Sequence, residues 1–144
     1  MILKKALEYS EVVKDRLKSY TKTIEVTGRA RRQCEDVREL DFVVVLKEAE
    51  HKNFNNFLSD IKVLNIGQLI KNGTSKKELM WKDEKGFFTP SNIYLANEDN
   101  FGIVMLLTTG TTHFVKYILK SWEMKSNGYF GGQGLDKRYF NEYL

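Results

Sequence analysis

The sequence predicts an α+β fold in which helices back a mixed β-sheet. Three observations point there. Segments with apolar residues at helical spacing alternate with short segments rich in β-branched residues, as in helix-covered sheets. One short segment, "LDFVVVLKE", is apolar on both faces and so belongs inside a sheet. A third signal is "KDEKG", good hairpin chemistry between two strand-like stretches.

Each element follows in order. Leu3, Leu7, Val12, Val13 and Leu17 recur at helical spacing, so residues 3–19 are expected to form an amphipathic helix. "TIEVTG" reads as a short strand ended by Gly28, and "LDFVVVLKE" as the buried strand. "AEHKNFNNFLSDI" has apolar residues every three or four positions and reads as a helix, with "KVLNIGQLI" a strand after it. "KELMW" and "GFFTPSNIYLA" form the hairpin, and Pro90 within its second arm suggests an edge or a strand start. "NFGIVMLLTTG" ends in a turn. "TTHFVKYILKSWEMK" predicts a helix with Phe114, Ile118 and Trp122 on one stripe, before a Gly-rich aromatic tail.

Composition bounds the function. At 144 residues the chain is one domain, with room for a sizeable core and a small appended subdomain. Lys plus Arg total 23 against 19 acids, a net charge of +4, too small an excess to identify a partner. Basic residues cluster locally, in "KDRLK", "RARR" and "KNGTSKK", which matters more for a nucleic-acid footprint than the total. The single Cys34 allows no internal disulfide, and with only His51 and His113 beside it a zinc site is not expected. The N-terminus lacks a signal-peptide apolar region, and "FGIVMLL" is far short of the ~20 residues of a membrane span. The expected location is cytoplasmic, or intracellular in a host cell.

The stretch that carries chemistry is "TGRARRQCEDVRELDFVVVL", residues 27–46. Residues two apart on a strand share a face, so Glu39 and Asp41 project together. Two carboxylates so placed repel unless a cation lies between them, and Mg²⁺ binds through one or two carboxylates plus substrate phosphates. Gly28 lets the backbone turn closely, while Arg29, Arg31 and Arg32 offer forked donors for phosphate oxygens. The bland alternative is a solvated acid pair beside a basic surface loop.

The string G-R-A-R-R-x6-E-L-D-F resembles the glycine-serine-x-arginine-arginine turn and paired-aspartate strand of family X DNA polymerases, the polymerase β type of nucleotidyltransferase. Downstream, "NFGIVMLLTTGTTHFVKYI" resembles that family's aromatic-Thr-Gly-Ser segment and its following helix. The resemblance covers roughly residues 20–130, and the small one-piece forms found in viruses are nearest in size. It implies a nucleotidyltransferase palm over 1–105 and a partial, nucleotide-closing C-terminal subdomain over 106–144, truncated relative to the family. It also implies Mg²⁺ or Mn²⁺ as cofactor, held by Glu39, Asp41 and Asn92 as catalytic and metal residues, Asn92 falling where the third aspartate belongs. Gly28, Arg29 and Arg32 would then bind the incoming nucleoside triphosphate, with Thr109, Gly110 and Thr111 against its sugar.

Several positions depart from the family pattern. Arg29 replaces the phosphate-binding serine, Glu39 is a methylene longer than aspartate, and Asn92 has neither the charge nor the basicity of a carboxylate. Leu107 and Thr108 replace the aromatic pair, and Val115 an asparagine. The function implied is addition of nucleoside monophosphates to a DNA or RNA 3′ end, with impaired activity. Two alternatives are a catalytically inactive palm that binds nucleic acid or a protein partner, and nucleotidyl transfer to a small molecule or protein.

Overall fold

The computed structural model describes residues 1–111, 113–117 and 120. Helix α1 (Leu3–Leu17) buries Ala6, Ser10, Val13 and Leu17, a stripe that returns every three or four residues. Ser10 tolerates this position because its Oγ donates to the Ala6 carbonyl at 2.7 Å. The stripe is narrower than expected. Leu7 and Val12 are exposed, because α1 meets the sheet along a single line.

After α1 come β1 (Thr21–Thr27), the short α2 (Gly28–Arg31) and β2 (Leu40–Leu46). A 3₁₀ turn (Glu48–Glu50) leads into α3 (His51–Asp60), followed by β3 (Gly67–Asn72), β4 (Lys76–Lys82), β5 (Phe88–Ala96) and α4 (Phe101–Thr109). The strand expected over residues 62–70 begins only at Gly67. Before it, Asn65 adopts φ 59°, Asn65 N–H donates to the Lys62 carbonyl, and Ile66 N–H to that of Ile61. That pair of bonds around a left-handed residue is a Schellman stop, and it leaves Val63 and Leu64 in solvent.

The five strands form one mixed sheet in the order β1-β2-β5-β4-β3. Only the central pair, β2 and β5, runs parallel. All seven residues of β2 are buried, as a strand covered on both faces requires. Phe42 and Val44 point into the larger core with Val13, Leu17, Phe54, Leu58 and Trp81, under α1 and α3. Val43 points the other way, against Val104, Met105 and Leu107 of α4. Strand alternation therefore puts Asp41 on the α4 face, away from the larger core.

The hairpin forms as expected. The Asp83 carboxylate accepts the Lys85 and Phe87 N–H groups at 2.9 Å each, and Gly86 takes φ 85°. Strand β5 is central and not an edge, yet Pro90 is tolerated at its start. Pairing with β2 begins one residue later, at Ser91 opposite Leu40. A boundary between 105 and 106 would divide α4, which is continuous to Thr109. Residues 113–117 are helical; Ile118, Trp122 and the tail lie outside the described residues. Among the described residues no helix is long and apolar enough to cross a membrane.

Candidate functional site

Parallel pairing sets Asp41 beside Asn92, and Asn92 in turn lies opposite Glu78 on β4. Glu39 stands one residue ahead of β2 and is exposed, while Asp41 and Asn92 are 8% and 6% exposed. The Asn92 amide nitrogen donates to Asp41 Oδ1 at 2.7 Å and to Glu39 Oε2 at 2.9 Å. One amide thus holds two carboxylates together. Burial pushes the Asp41 carboxyl up to about 7; the bond from Asn92 opposes the rise, the Glu39 charge adds to it, and Lys76 and Arg32 oppose it.

Gly28 presses directly on this pair. Its φ is +66°, and a Cβ there would lie 2.2 Å from Asp41 Oδ2. The turn it opens carries Arg29 and Arg32 onto a cavity of about 480 Å³ that Glu39, Asp41, Lys76 and Tyr94 also line. Arg31 is exposed and outside that lining, since it leaves α2 on the far side.

The end of α4 closes the cavity. Arg32 Nη1 donates to the Thr109 and Gly110 carbonyls at 2.8 and 3.3 Å. The Thr27 hydroxyl meets those of Thr108 at 2.6 Å and Thr109 at 3.0 Å. Thr111 Oγ1 accepts the Phe114 N–H at 3.2 Å, capping the helical segment that follows. Thr108, Gly110 and Thr111 line the cavity, whereas Thr109 braces its wall from behind.

Among the described residues no group of three His, Cys, Asp or Glu side chains is placed to hold a metal ion. The donor set is two carboxylates and one amide. It fits one hard cation completed by phosphates and water, because such ions need only one or two protein carboxylates. Turning the Asn92 amide over would present its oxygen as a third donor.

Lys76, Tyr94 and Thr27 belong to this site although the motif did not mark them. Lys76 was within reach of sequence reasoning: counting back through the hairpin pairs it with Tyr94, two residues along β5 from Asn92. Thr27 carried no such signal, because its partners lie more than 80 residues away.

A pH-dependent stability follows from Asp41. Its folded value near 7 lies above the ordinary 3.8, so its contribution is fully present below about 3.8 and is lost as pH rises through 7. Ionising it inside the fold then costs on the order of 4 kcal/mol. Asp41→Asn keeps an oxygen for the Asn92 bond and abolishes that cost. We expect D41N to melt higher than wild type at pH 8 and to converge with it near pH 4. Parallel melting curves across that range would show that Asp41 ionises without penalty.

The fold was compared with solved structures. A Leishmania infantum polymerase beta, solved as a ternary gap complex, superposes at a TM-score of 0.70 and 12% sequence identity. The fold is polymerase beta-like. The match covers 87% of this chain and 47% of that one, so this chain spans about half the length of that polymerase. No protein-family model matches the sequence, and no curated protein does. The mixed sheet with helices on it is thus a polymerase beta-like arrangement, as the sequence resemblance implied.

Proposed function

We propose that the chain is a polymerase β-like nucleotidyltransferase that binds a nucleoside triphosphate and adds nucleoside monophosphates to a nucleic-acid 3′ end, with activity impaired at position 92. One observation carries this reading: the Glu39–Asp41–Asn92 cluster meets the Gly28 turn and its arginines at a single cavity. Acidic groups for a cation adjoin guanidinium groups for phosphate, which is what stabilising a pentavalent phosphorus requires. Arg29 and Arg32 grip the triphosphate. Arg32 spends one nitrogen on the Thr109 and Gly110 carbonyls and has further N–H groups for phosphate. Gly110 and Thr111 form the side of the cavity that takes the sugar, with Thr109 bracing it from behind. The family resemblance divides the chain into a palm over 1–105 and a partial, nucleotide-closing C-terminal subdomain over 106–144.

Mg²⁺ or Mn²⁺ would be held by Glu39, Asp41 and the Asn92 oxygen, and when bound it supplies charge stabilisation at the phosphoryl oxygens. Asn92 accepts no proton at ordinary pH, so the attacking hydroxyl loses its proton to water instead of to a carboxylate. We read this as a degenerate site of the family.

The second reading, an inactive palm that binds nucleic acid or a protein partner, draws on the same amide. By bridging both carboxylates Asn92 satisfies them without a cation. Incubating pure protein with Mg²⁺ or Mn²⁺, all nucleotides and a gapped duplex separates the two. Incorporation supports the first; binding that is indifferent to the cation, with no product, supports the second. A labelled product that is not nucleic acid would point to transfer onto a small molecule or protein. In either of the first two cases Arg29→Ala/Arg32→Ala should weaken nucleotide or DNA binding about tenfold or more, as charge-assisted phosphate contacts imply. Unchanged affinity in a folded double variant would leave the basic turn as a solvated loop.

A further inference from the structure

We infer that Thr27 is a positioning residue: its hydroxyl fixes the end of α4 against the arginine turn, so that one nucleoside triphosphate reaches both. The inference rests on the nucleotidyl-transfer reading, which puts phosphates at the turn and the sugar at the end of α4. It adds what sets their spacing. Thr27 is the last residue of β1, directly before Gly28, and pairs across the sheet with Asp41. Cross-strand partners share a face, so its side chain lies on the α4 side with Asp41. Thr27 is fully buried and does not line the cavity, so it acts on a ligand only through the groups it holds.

The hydroxyls form a directed chain. Thr108 Oγ1 donates to the Val104 carbonyl at 2.8 Å, one turn back along α4. A hydroxyl has one proton to give, so at 2.6 Å Thr108 Oγ1 accepts from Thr27. Thr27 then has only acceptor capacity left, and at 3.0 Å it takes the proton of Thr109. The order of donation is Thr109 to Thr27 to Thr108 to Val104, and only a residue that both donates and accepts can stand in its middle. Bonds in such a chain polarise and strengthen one another. Gly110 and Thr111, which line the cavity, follow directly after the threonines so held. A second link runs beside the chain, from Arg32 Nη1 to the Thr109 and Gly110 carbonyls. Arg32 is also a phosphate ligand under the proposed function. Without Thr27, the end of α4 would hang on a guanidinium that the triphosphate also draws upon. A ligand that spans two elements binds well only where their separation is already set, and a misplacement of about 1 Å loses much of the gain.

The test compares two ligands with Mg²⁺ present. A base-labelled fluorescent nucleoside triphosphate reaches both elements; inorganic tripolyphosphate has charges for the turn and no sugar for the wall. In Thr27→Val, which keeps the branched shape and removes the hydroxyl, nucleoside triphosphate affinity should fall about tenfold, as the loss of one or two hydrogen bonds implies. Tripolyphosphate affinity should stay within about twofold, since Arg29 and Arg32 supply that end. Thr27→Ser, which still donates and accepts, should restore the nucleotide affinity. Thr109→Val removes the donor at the head of the chain and should show the same selective loss at about threefold. Added to Thr27→Val it should cost little more, because both changes break one chain. If Thr27→Val does not fold, Thr109→Val decides alone. No loss of nucleotide affinity, an equal loss of both ligands, or a serine that fails to restore binding would overturn the inference. Wild-type protein that binds the two ligands equally would overturn it while leaving the phosphate end of the proposed function standing. Binding of neither ligand would overturn both.

Discussion

Asn92→Asp is expected to raise nucleotide incorporation by about 10²–10⁴, the range that a positioned general base supplies. Asn92 occupies the position beside Asp41 across the parallel pair, with its amide already within 2.9 Å of both carboxylates. A carboxylate there needs no rearrangement of the backbone to face the same point. It adds a negative charge for the cation and an oxygen that can accept the hydroxyl proton. The same change removes two donated hydrogen bonds and sets three carboxylates against one another. In chelator, N92D should therefore be less stable than wild type, by about 1–3 kcal/mol for the lost bonds. Adding Mg²⁺ should recover the loss, because a ligand that binds only the folded state stabilises it. Glu39→Asp in the same background, with its shorter reach, should raise activity further, the two changes coupling through one network. Primer extension and thermal melts with and without Mg²⁺ read both effects. Brisk extension by wild type and by Asn92→Ala alike would remove position 92 from the chemistry.

Gly28→Ala should be strongly damaging, because it meets both a backbone and a side-chain obstacle. Alanine at φ +66° costs about 1–2 kcal/mol before any contact is counted. Its methyl carbon would then sit 2.2 Å from Asp41 Oδ2, and Asp41 is packed beside Asn92 with no room to retreat. The total should reach about 2–4 kcal/mol, with triphosphate binding lost as the turn is pushed off the carboxylates. Gly102 provides the contrast. It lies in α4 with nothing within 4 Å of an added Cβ, so Gly102→Ala should stabilise by about 0.5–1 kcal/mol through helix propensity. Chemical denaturation of the two variants measures both signs. Equal effects would mean that Gly28 is not held in its left-handed conformation.

Much of the fold was legible because it depends on local pattern. The all-apolar "LDFVVVL" could be stable only with both faces covered, and it became β2 at the centre of the sheet. The hairpin around "KDEKG" was written in turn chemistry that Asp83 and Gly86 carry out. Where local signals failed, a neighbour had overridden them. Val63 and Leu64 look like strand residues, but the turns that follow α3 run on to Asn65, whose left-handed backbone closes them, and the two apolar side chains are left outside. Of the two readings Pro90 offered, an edge or a strand start, the second holds: it sits near the start of a central strand, one residue before pairing with β2 begins.

For the candidate site the division is equally physical. A strand's two-residue period pointed by itself to Glu39 and Asp41 projecting together, and the Gly-Arg turn offered forked donors suited to phosphate oxygens. Which groups meet across the sheet is a matter of register, and register is settled by pairing between segments some 50 residues apart. That pairing decided that Asn92 bridges the carboxylates, and contacts across more than 80 residues that Thr27 joins the end of α4, whereas the local β4–β5 hairpin sets Lys76 opposite Tyr94. Burial was a tertiary decision too. An aspartate at the start of a strand is ordinarily solvated, and only the packing of α4 and the Gly28 turn over β2 desolvates Asp41 and lifts its carboxyl to about 7.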